Sequence, residues 1–342
     1  MLKPLAKSLF RGAAAIAGPH RWRRGPCLLV LTYHRVLPEG HPARESEQPG
    51  MLVSPEILAM HFEVLQQHFN PVHLDDWLRA EREGRPPPGR SVAITFDDGW
   101  RDNYDYGFPV IRTAGMPATL FLVTDMVGSR YRFWPNRLAN VLKVWTPGYN
   151  HRLDERTKRR MTALGIPLDL SGPEVTPEFI DAVIGRCKVT NDASMHALLD
   201  QVEAVLPEES GDDEEERDLL DWDEVREMAD SGLVRFGSHT RRHTRLREDV
   251  PPAQVEDEVA GSRRILEEKL DRPAPMFCYP NGDYSPVAYA AVKDAYEGAV
   301  STQRGWHTQT MNPFTVHRIG IHQDVSRTPR ALLARLSGWP GL

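Results

Sequence analysis

The chain has 342 residues, of which 40% are apolar and 26% are charged, and its formal net charge is −6. This size and composition are typical of a globular enzyme with one large domain or two smaller ones. The negative charge argues against general nucleic-acid binding, which needs a dominant basic surface, so we expect no nucleic-acid partner. The three cysteines (Cys27, Cys187 and Cys278) have no CxxC spacing and predict no disulfide framework.

Residues 1–24 carry six basic residues and no acidic one. Apolar residues at helical spacing predict a short basic amphipathic helix within a leader of residues 1–26. A cleaved signal peptide is the alternative, but Arg11 and Gly12 leave its apolar core short. We therefore expect a cytoplasmic protein, or one that contacts the cytoplasmic membrane face through residues 1–24, with export as the alternative. The sequence leaves the oligomeric state open.

Seven short runs rich in apolar and β-branched residues predict strands in the rest of the chain. They are residues 27–34, 91–96, 118–123, 233–239, 276–280, 298–302 and 317–321. Helical patterns lie between many of them, at Pro55–Gln67, Asn103–Ala114, Trp222–Ser231, Pro252–Leu270 and Pro286–Ala295. Repeated strand and helix units of this kind favour an α/β barrel or an open parallel sheet.

Residues 125–220 interrupt this alternation and are interpreted as a largely helical insertion. Helical patterns occur at Leu138–Trp145 and Ala193–Leu206, whereas residues 207–218 hold eight acids against one Arg and predict a solvated loop. Trp134 and Trp145 either offer a face on which a sugar stacks or belong to the core of a small helical cap. The predicted barrel then comprises residues 27–124 and 221–325, followed by a C-terminal helix in residues 326–342.

Four of the predicted strands end in reactive residues. Asp97 and Asp98 follow one strand, His239 ends another with His243 four residues later, and His34 ends the first. The turn Tyr279-Pro280-Asn281 ends a fourth. In a parallel barrel all carboxyl ends of strands lie on one face, so we expect these side chains to converge.

The two histidines and one carboxylate predict a metal site. A His pair at i, i+4 is by itself more often an ordinary surface pair, but a carboxylate from another strand completes a set that suits zinc or a similar divalent ion. Neighbouring acids such as Asp97 and Asp98 disfavour each other's charge, and a DDG sequence alone is most simply a solvated turn. A bound cation would let both acids stay ionised, one holding the metal and the other handling protons.

The motifs TFDDG (95–99), SHTRRH (238–243) and YPNG (279–282) resemble those of the polysaccharide deacetylases, carbohydrate esterase family four. This family removes N-acetyl groups from sugar polymers. The resemblance implies an α/β fold with an irregular (β/α) barrel of about seven parallel strands, and an N-acetylated glycan as the partner. It also implies that Asp98, His239 and His243 bind a divalent metal, most simply zinc, with cobalt, nickel or iron as alternatives. Asp97 matches the general base.

The chain departs from the family pattern at two places. Many members read Arg-x-Pro-Tyr where this chain has Cys278-Tyr279-Pro280-Asn281, so the Arg that orients the base is missing there. Arg101, Arg241 and Arg318 are the candidate replacements, and the sequence does not choose among them. At the turn formed by Tyr279, Pro280 and Asn281, the backbone N–H of Asn281 still suits an oxyanion hole, because that role needs no particular side chain.

The second departure concerns the general acid, which many relatives take from a late Leu-x-x-His motif. Residues 300–342 contain no such motif, but Leu31-Thr32-Tyr33-His34 matches it near the front of the chain. Some relatives resemble this permuted order, so His34 is the candidate acid, with His317 and His322 as replacements. In the competing interpretation His34 simply closes a strand.

The resemblance implies a metal-dependent hydrolase that deacetylates an exopolysaccharide, a cell-wall glycan or a lipid-linked precursor. Two other functions remain open. One is a metal-dependent amidohydrolase that acts on a small cyclic amide. The other is a catalytically inactive barrel that binds glycans, although every expected metal ligand and the base are present.

Overall fold

The computed structural model describes residues 26–85, 87–168, 175–206 and 217–338. These residues form two compact units. The barrel unit takes its described residues from Met1–Glu39, Gly50–Ser129 and Leu219–Leu342, and the helical unit takes its own from Gly40–Pro49 and Arg130–Asp218. The helical unit thus begins a few residues inside the predicted insertion and adds a short earlier segment to it. Residues 1–24 and most of the acidic run lie outside the described residues, so the predictions about them stay predictions.

Short strands make up the sheets of the barrel unit. In chain order they are β1 (Cys27–Tyr33), β2 (Arg35–Val36), β3 (Leu52–Val53), β4 (Asn70–Pro71), β5 (Ser91–Phe96), β6 (Ala118–Leu122), β7 (Val234–Ser238), β8 (Met276–Cys278), β9 (Gly298–Arg304), β10 (His307–Thr308) and β11 (Val316–Gly320). The seven predicted strands are β1, β5, β6, β7, β8, β9 and β11, with ends that differ by a few residues at most.

Those seven strands close into a barrel in which every neighbouring pair is parallel. The order runs β1, β11, β9, β8, β7, β6 and β5, and β5 returns to β1 with a continuous register from Leu28 opposite Ser91 to Tyr33 opposite Phe96. Strand β10 adds antiparallel to β1, and β4 adds parallel to β5. The predicted irregular barrel of about seven parallel strands is therefore confirmed, and the open sheet is excluded.

Alternation along the strands divides the core into two layers. In β1, Leu28 and Val30 belong to a cluster with Trp77, whereas Leu29 and Leu31 pack into the larger cluster between strands and outer helices. Successive side chains of a strand point to opposite faces, so the first set fills the barrel. Trp77 belongs to the helix Leu74–Arg82, which was not predicted from the sequence. The next residue, Leu78, packs against Gly298, the first residue of β9, so closely that a Cβ on Gly298 would lie 2.8 Å from Leu78 Cδ1. This helix therefore lies at the amino ends of the strands.

The α-helices of the barrel unit mostly follow the predicted pattern. They are Pro55–His68, Leu74–Arg82, Phe108–Ala114, Trp222–Asp230, Pro252–Leu270, Pro286–Ala295, Gln323–Ser326 and Pro329–Leu336. The predicted helix Asn103–Ala114 differs, because its first five residues, Asn103–Gly107, form a π-helical turn. The predicted C-terminal helix is also shorter than residues 326–342. None of the helices in the described ranges is both long enough and apolar enough to cross a membrane.

The helical unit has its own apolar core. Its α-helices are Trp134–Val144, Glu155–Ala163, Pro177–Cys187 and Asp192–Glu203. Trp134 and Trp145 are only 5% and 4% exposed and belong to this core. Their indole N–H groups donate to Asp192 Oδ1 at 3.0 Å and to the Leu168 carbonyl at 3.1 Å. The prediction that either Trp offers a sugar-stacking face is therefore wrong, because burial leaves no ring face for a ligand, and the core interpretation is confirmed.

Candidate active site

The candidate site lies at the carboxyl ends of the barrel strands. Asp97 directly follows β5, and its backbone N–H donates to the Tyr33 carbonyl at the end of β1, at 3.1 Å. Because His34 directly follows Tyr33, it lies beside Asp97, as the convergence of parallel strands predicts. From the far side of β6, the backbone N–H of His239 donates to the Leu122 carbonyl at 2.8 Å. Residues 34, 97 and 239 are thus brought to one face of the barrel by backbone pairing.

The turn after β5 explains why the sequence reads DDG. Asp98 and Gly99 both have positive φ, 76° and 79°. A Cβ on residue 99 would lie 2.9 Å from Leu122 Cδ2 of the next strand, so only glycine fits without a shift. A positive φ at Asp98 is uncommon for a residue with a side chain and is a typical feature of functional sites. This turn aims the Asp98 carboxylate at the two histidines.

Asp98, His239 and His243 form the cluster expected for a metal. The Nε2 atoms of His239 and His243 lie 3.5 and 3.6 Å from Asp98 Oδ1. One ligand atom from each residue lies within 4.8 Å of the other two. Two imidazoles and a carboxylate that face one point, with further coordination positions left for water or substrate, are a donor set that fits zinc or a similar divalent ion.

Hydrogen bonds to neighbouring groups orient two of these ligands. His239 Nδ1 lies 2.8 Å from the Cys278 carbonyl, which only accepts, so Nδ1 carries the proton and the lone pair of Nε2 faces Asp98. The Trp100 indole donates to Asp98 Oδ2 at 3.0 Å and leaves Oδ1 for the histidines. Burial raises the pKa of the Asp98 carboxyl, but in their protonated forms His239, which then donates a hydrogen bond, and the charged His34 and His243 outweigh it and hold the pKa well below its usual range.

Asp97 is held by the arginine that the sequence could not choose. Arg318 in β11 donates from Nη1 to Asp97 Oδ1 and from Nη2 to Asp97 Oδ2, both at 2.8 Å. Its Nε donates to the Ser301 carbonyl at 3.0 Å. Both members of the ion pair are almost fully buried. Such a bidentate pair fixes the plane of the carboxylate as well as its charge.

The two other candidate arginines bind elsewhere. Arg101 approaches Glu224, and Arg241 donates to Asp125. Burial by itself raises the pKa of the Asp97 carboxyl, and the charge and hydrogen bonds of Arg318 reverse this shift, so the pKa lies below its usual value. Asp97 is therefore ionised while buried, which is the state that a general base requires.

Cys278 is a further buried neighbour of this ion pair. Its Sγ lies 3.5 Å from Asp97 Oδ2 and 3.2 Å from Arg318 Nη2. Asp97, His239 and Cys278 also bring ligand atoms together, but burial raises the pKa of the Cys278 thiol well above its usual value and Arg318 already holds both Asp97 oxygens. The set with Asp98 is consequently the better metal site of the two.

In the turn after β8, the Tyr279 side chain and the backbone lie in different surroundings. The Tyr279 side chain is fully buried and packs against Phe277 with ring centroids 5.2 Å apart, so it lies in the core. Pro280–Gly282 forms a 3₁₀ turn in which Asn281 has a positive φ of 54°. Because this turn follows the carbonyl that His239 contacts, its backbone begins beside the metal cluster. The oxyanion role of Tyr279, Pro280 and Asn281 stays a prediction, which now rests on the backbone alone.

The three candidate acids lie in different places. His34 is half-buried beside Asp97 and Asp98, and its charge is one of the influences that, after burial, act on the pKa of both carboxyls. His317 precedes Arg318 in β11 and points to the opposite face, with its ring against Gly305. It is therefore unsuited to the role. His322 follows β11. Its pKa is lowered, first by burial, and the charge of His34 is a further cause, so the two imidazoles lie near each other. His322 therefore stays the second candidate.

Sequence reasoning missed Trp100, Cys278 as a neighbour of the base, and the choice of Arg318. The position of Trp100 directly after DDG was the only local signal for it. The contact of Arg318 with Asp97 spans 221 positions of the chain and depends on the closure of the barrel. The contacts of Arg318 and Cys278 with Asp97 therefore have no short-range sequence pattern.

The model of the family described as polysaccharide deacetylase matches residues 84–168 and 172–297, more than half of the chain. Among curated proteins, the Bacillus subtilis (strain 168) protein named "Putative polysaccharide deacetylase YxkH" is 20% identical over 245 residues, which cover 71% of this chain and 56% of that protein. The poly-β-1,6-N-acetyl-D-glucosamine N-deacetylase of Escherichia coli (strain K12) is 30% identical over 91 residues, 26% of this chain and 13% of that one. The chain thus spans about half of the first relative and a small part of the second.

Solved structures share the fold at low sequence identity. The Streptococcus pyogenes deacetylase PplD, solved in complex with acetate, aligns with a TM-score of 0.59 and 16% identity over 93% of this chain and 100% of that chain. IcaB from Ammonifex degensii aligns with a TM-score of 0.55 and 18% identity over 91% and 98%. These likenesses support the barrel architecture, while the family model covers both the DDG turn and the histidine turn. The chain belongs to the polysaccharide deacetylase family.

Proposed function

We propose that this protein is a metal-dependent hydrolase that removes N-acetyl groups from a glycan. The observation that carries the proposal is the pairing of two preorganised groups on one face of the barrel. Asp98, His239 and His243 form a donor set for a divalent ion, and Asp97, next in sequence to a ligand, is held ionised by Arg318. A metal ligand set beside a separate base is the equipment of a metal-assisted hydrolase.

A divalent metal bound by Asp98, His239 and His243 would supply Lewis acidity towards water and towards an amide carbonyl oxygen. The other steps belong to side chains and backbone groups of this chain. Asp97 accepts the proton of the attacking water, because its carboxylate is ionised and lies beside the ligand set. Arg318 keeps that carboxylate in one orientation and remains paired with it throughout.

The tetrahedral oxyanion and the leaving amine need two further groups. The backbone N–H of Asn281 is the candidate oxyanion donor, since it belongs to the turn that begins beside His239. The leaving amine must take up a proton before it departs. His34 is the proposed donor, because it lies beside both carboxylates, and His322 is the alternative.

The substrate class follows from the family and is proposed here as a polymer of N-acetylated sugars. The Escherichia coli relative is named for poly-β-1,6-N-acetyl-D-glucosamine, and its matched segment makes that polymer the first substrate to test. The exopolysaccharide, cell-wall and lipid-linked classes from the sequence analysis complete the panel. The metal is proposed to be zinc, with cobalt, nickel and iron to be compared.

The test is loss of acetyl groups measured by mass spectrometry. The purified protein is stripped with a chelator, reloaded with one metal at a time and incubated with N-acetylated oligosaccharides and lipid-linked glycans. We expect loss of acetyl only after reloading. Asp98→Asn should abolish both metal binding and turnover, whereas Asp97→Asn should bind the metal normally and lose about 10²–10⁴-fold in turnover, as for removal of a general base.

The same assay separates the competing functions. Glycan binding without turnover under any metal would indicate the inactive barrel and contradict the proposal. Small cyclic amides are added to the panel, and their hydrolysis, seen as a gain of one water in mass, with no activity on oligosaccharides would indicate the small-molecule amidohydrolase instead. Full turnover by metal-loaded Asp97→Asn would remove the proposed base.

A further inference from the structure

The turn that carries the two histidines has a strained backbone. Thr240 and His243 have φ values of 64° and 59°, in the left-handed region. A residue with a side chain is uncommon in this region, and a β-branched one such as Thr240 is rare there, because its side chain crowds the backbone. The strain has a consequence for the site, since this backbone path places the His243 ring 4.9 Å from the His239 ring. A strained turn of this kind persists only where surrounding groups hold it.

A fully buried carboxylate holds the turn from outside. Glu258, in the helix Pro252–Leu270, is 0% exposed. Its Oε2 accepts from the backbone N–H groups of Arg241 and Arg242 at 2.9 and 3.0 Å. Its Oε1 accepts from Arg242 Nε and from the Thr244 hydroxyl, both at 2.9 Å. One side chain thus contacts three residues that surround His243.

Other contacts fix the start of the turn and the residues that follow it, and Glu258 bonds to residues on both sides of His243. After β6, the backbone N–H groups of Thr124 and Asp125 donate to the carbonyls of Thr240 and Arg241 at 3.1 and 2.9 Å. Within the turn, the Thr244 N–H donates to Thr240 Oγ1 at 3.1 Å. The bond from the Thr244 hydroxyl to Glu258 ties the residue after His243 to the helix Pro252–Leu270, and Arg245 Nε donates to Asp283 Oδ2 at 2.7 Å.

We propose that Glu258 is a positioning residue for the metal site: it stabilises the strained turn that presents His243 to Asp98, and it thereby sets the metal affinity. The inference rests on the proposed function, because it assumes that these histidines bind a metal. The hydrogen bonds of Glu258 go to Arg241, Arg242 and Thr244 and not to the ring nitrogens of the two histidines. Its effect is transmitted by the backbone of residues 241 and 242 and by Thr244.

The chemistry of the carboxylate predicts a graded response to substitution. A glutamine has one accepting oxygen, so Glu258→Gln can keep the two backbone N–H bonds while its amide group faces Thr244 and Arg242. The Thr244 hydroxyl can then rotate and accept. Glu258→Ala loses all four bonds. We therefore expect metal affinity to fall about 10–100-fold in Glu258→Ala, the usual effect of losing a group that orients a metal ligand, and by less in Glu258→Gln.

The test measures metal binding rather than activity. The apoprotein and its variants are titrated with Zn²⁺ in competition with a chromophoric chelator, and the visible spectrum of the Co²⁺ form reports the coordination geometry. Asp75→Asn is the matched control, because Asp75 is a buried carboxylate in the helix Leu74–Arg82, at the amino ends of the strands, and pairs there with Arg235 of β7. It should lower the stability of the fold and keep the Zn²⁺ affinity within about twofold of the parent value.

The results distinguish this inference from the proposed function. A parent protein that binds no Zn²⁺ through Asp98 overturns both. A parent that binds Zn²⁺, with Glu258→Ala within twofold of it and an unchanged Co²⁺ spectrum, overturns the positioning role alone. If Glu258→Ala does not fold, Glu258→Gln decides: weaker binding and an altered Co²⁺ spectrum support the role, and parental values overturn it.

Discussion

Arg318 determines the state of the proposed base. Its guanidinium makes both bonds to the buried Asp97 carboxylate, and a lysine at this position could offer only one compact charge. We expect Arg318→Lys to lower kcat at least tenfold with little change in Zn²⁺ affinity, since Asp98 and the histidines are not its partners. Arg318→Met should also lower the free energy of unfolding by about 3–5 kcal/mol, because it leaves a buried charge unpaired.

The measurements are kcat on an N-acetylated oligosaccharide, Zn²⁺ titration and urea unfolding. Arg101→Lys is the matched control, since Arg101 contacts Asp105 and Glu224 and lies away from Asp97. It should leave kcat near the parent value. Parental kcat in Arg318→Lys would show that the orientation of Asp97 does not limit the reaction.

The choice between His34 and His322 depends on the leaving group. An amine leaves only after it has been protonated, whereas nitrophenolate leaves without a proton. The variant that lacks the general acid should therefore lose about 10²–10⁴-fold in glycan turnover and keep its activity on nitrophenyl acetate. We expect this pattern for His34→Gln and near-parental rates for His322→Gln, measured with both substrates. The reverse pattern would assign the role to His322.

At the residue scale, the sequence predicted the cluster but not its surroundings. Asp98, His239 and His243 could be found because they follow recognisable strands, and parallel strands end on one face. Arg318 and Glu258 could not be found in this way. Each meets its partner through packing between separate elements, and neither lies in a local pattern that differs from an ordinary strand or helix.

At the scale of elements, predictability followed the length and regularity of the pattern. Pro252–Leu270 and Pro286–Ala295 were predicted with their observed ends, because both have proline at the start and continuous periodicity. Leu74–Arg82 was missed, since nine residues form little more than two turns and such a helix depends on tertiary packing. The strand β10 was also missed, because two residues are too short to show a periodic pattern. It contains the buried His307, whose effect on stability can be tested.

His307 in β10 is fully buried, and neither ring nitrogen has a hydrogen-bond partner among the described residues. Its ring meets Trp77 edge-on at 5.8 Å. Burial, with a smaller contribution from the charge of His317, lowers the pKa of His307 from 6.5 to about 4. Between pH 6.5 and pH 4, His307 binds a proton in the unfolded chain but not in the folded protein. The free energy of unfolding therefore falls as the pH drops towards 4.

His307→Phe removes this proton uptake. We compare the free energy of unfolding of the variant with that of the parent by urea denaturation at two pH values. The difference, variant minus parent, should be about 2 kcal/mol more positive at pH 5 than at pH 8. His151→Phe, at an exposed position, is the matched control and should show no such difference. An equal gain at both pH values for His307→Phe would indicate that His307 is protonated in the folded protein at pH 5.

At the scale of the whole molecule, the helical unit is the part whose role the sequence leaves most open. It has a separate apolar core, and its chain leaves and re-enters the barrel unit at neighbouring points, because the Gly128 N–H donates to the Leu220 carbonyl at 2.8 Å. Residues 130–218 can therefore be replaced by a short linker without stretching the barrel. Long insertions into compact domains usually have a function of their own or lack fixed structure, and four packed helices argue for the first.

We expect the protein with this replacement to fold, to bind Zn²⁺ with parental affinity and to hydrolyse nitrophenyl acetate, because the described ligands, Asp97 and Arg318 all belong to the barrel unit. Its turnover of the natural glycan should fall at least a hundredfold if the helical unit selects the polymer. Circular dichroism, Zn²⁺ titration, the release of nitrophenolate and the mass assay measure these four properties on one preparation. A truncated protein that deacetylates the glycan at the parental rate would show that selection of the substrate belongs to the barrel alone.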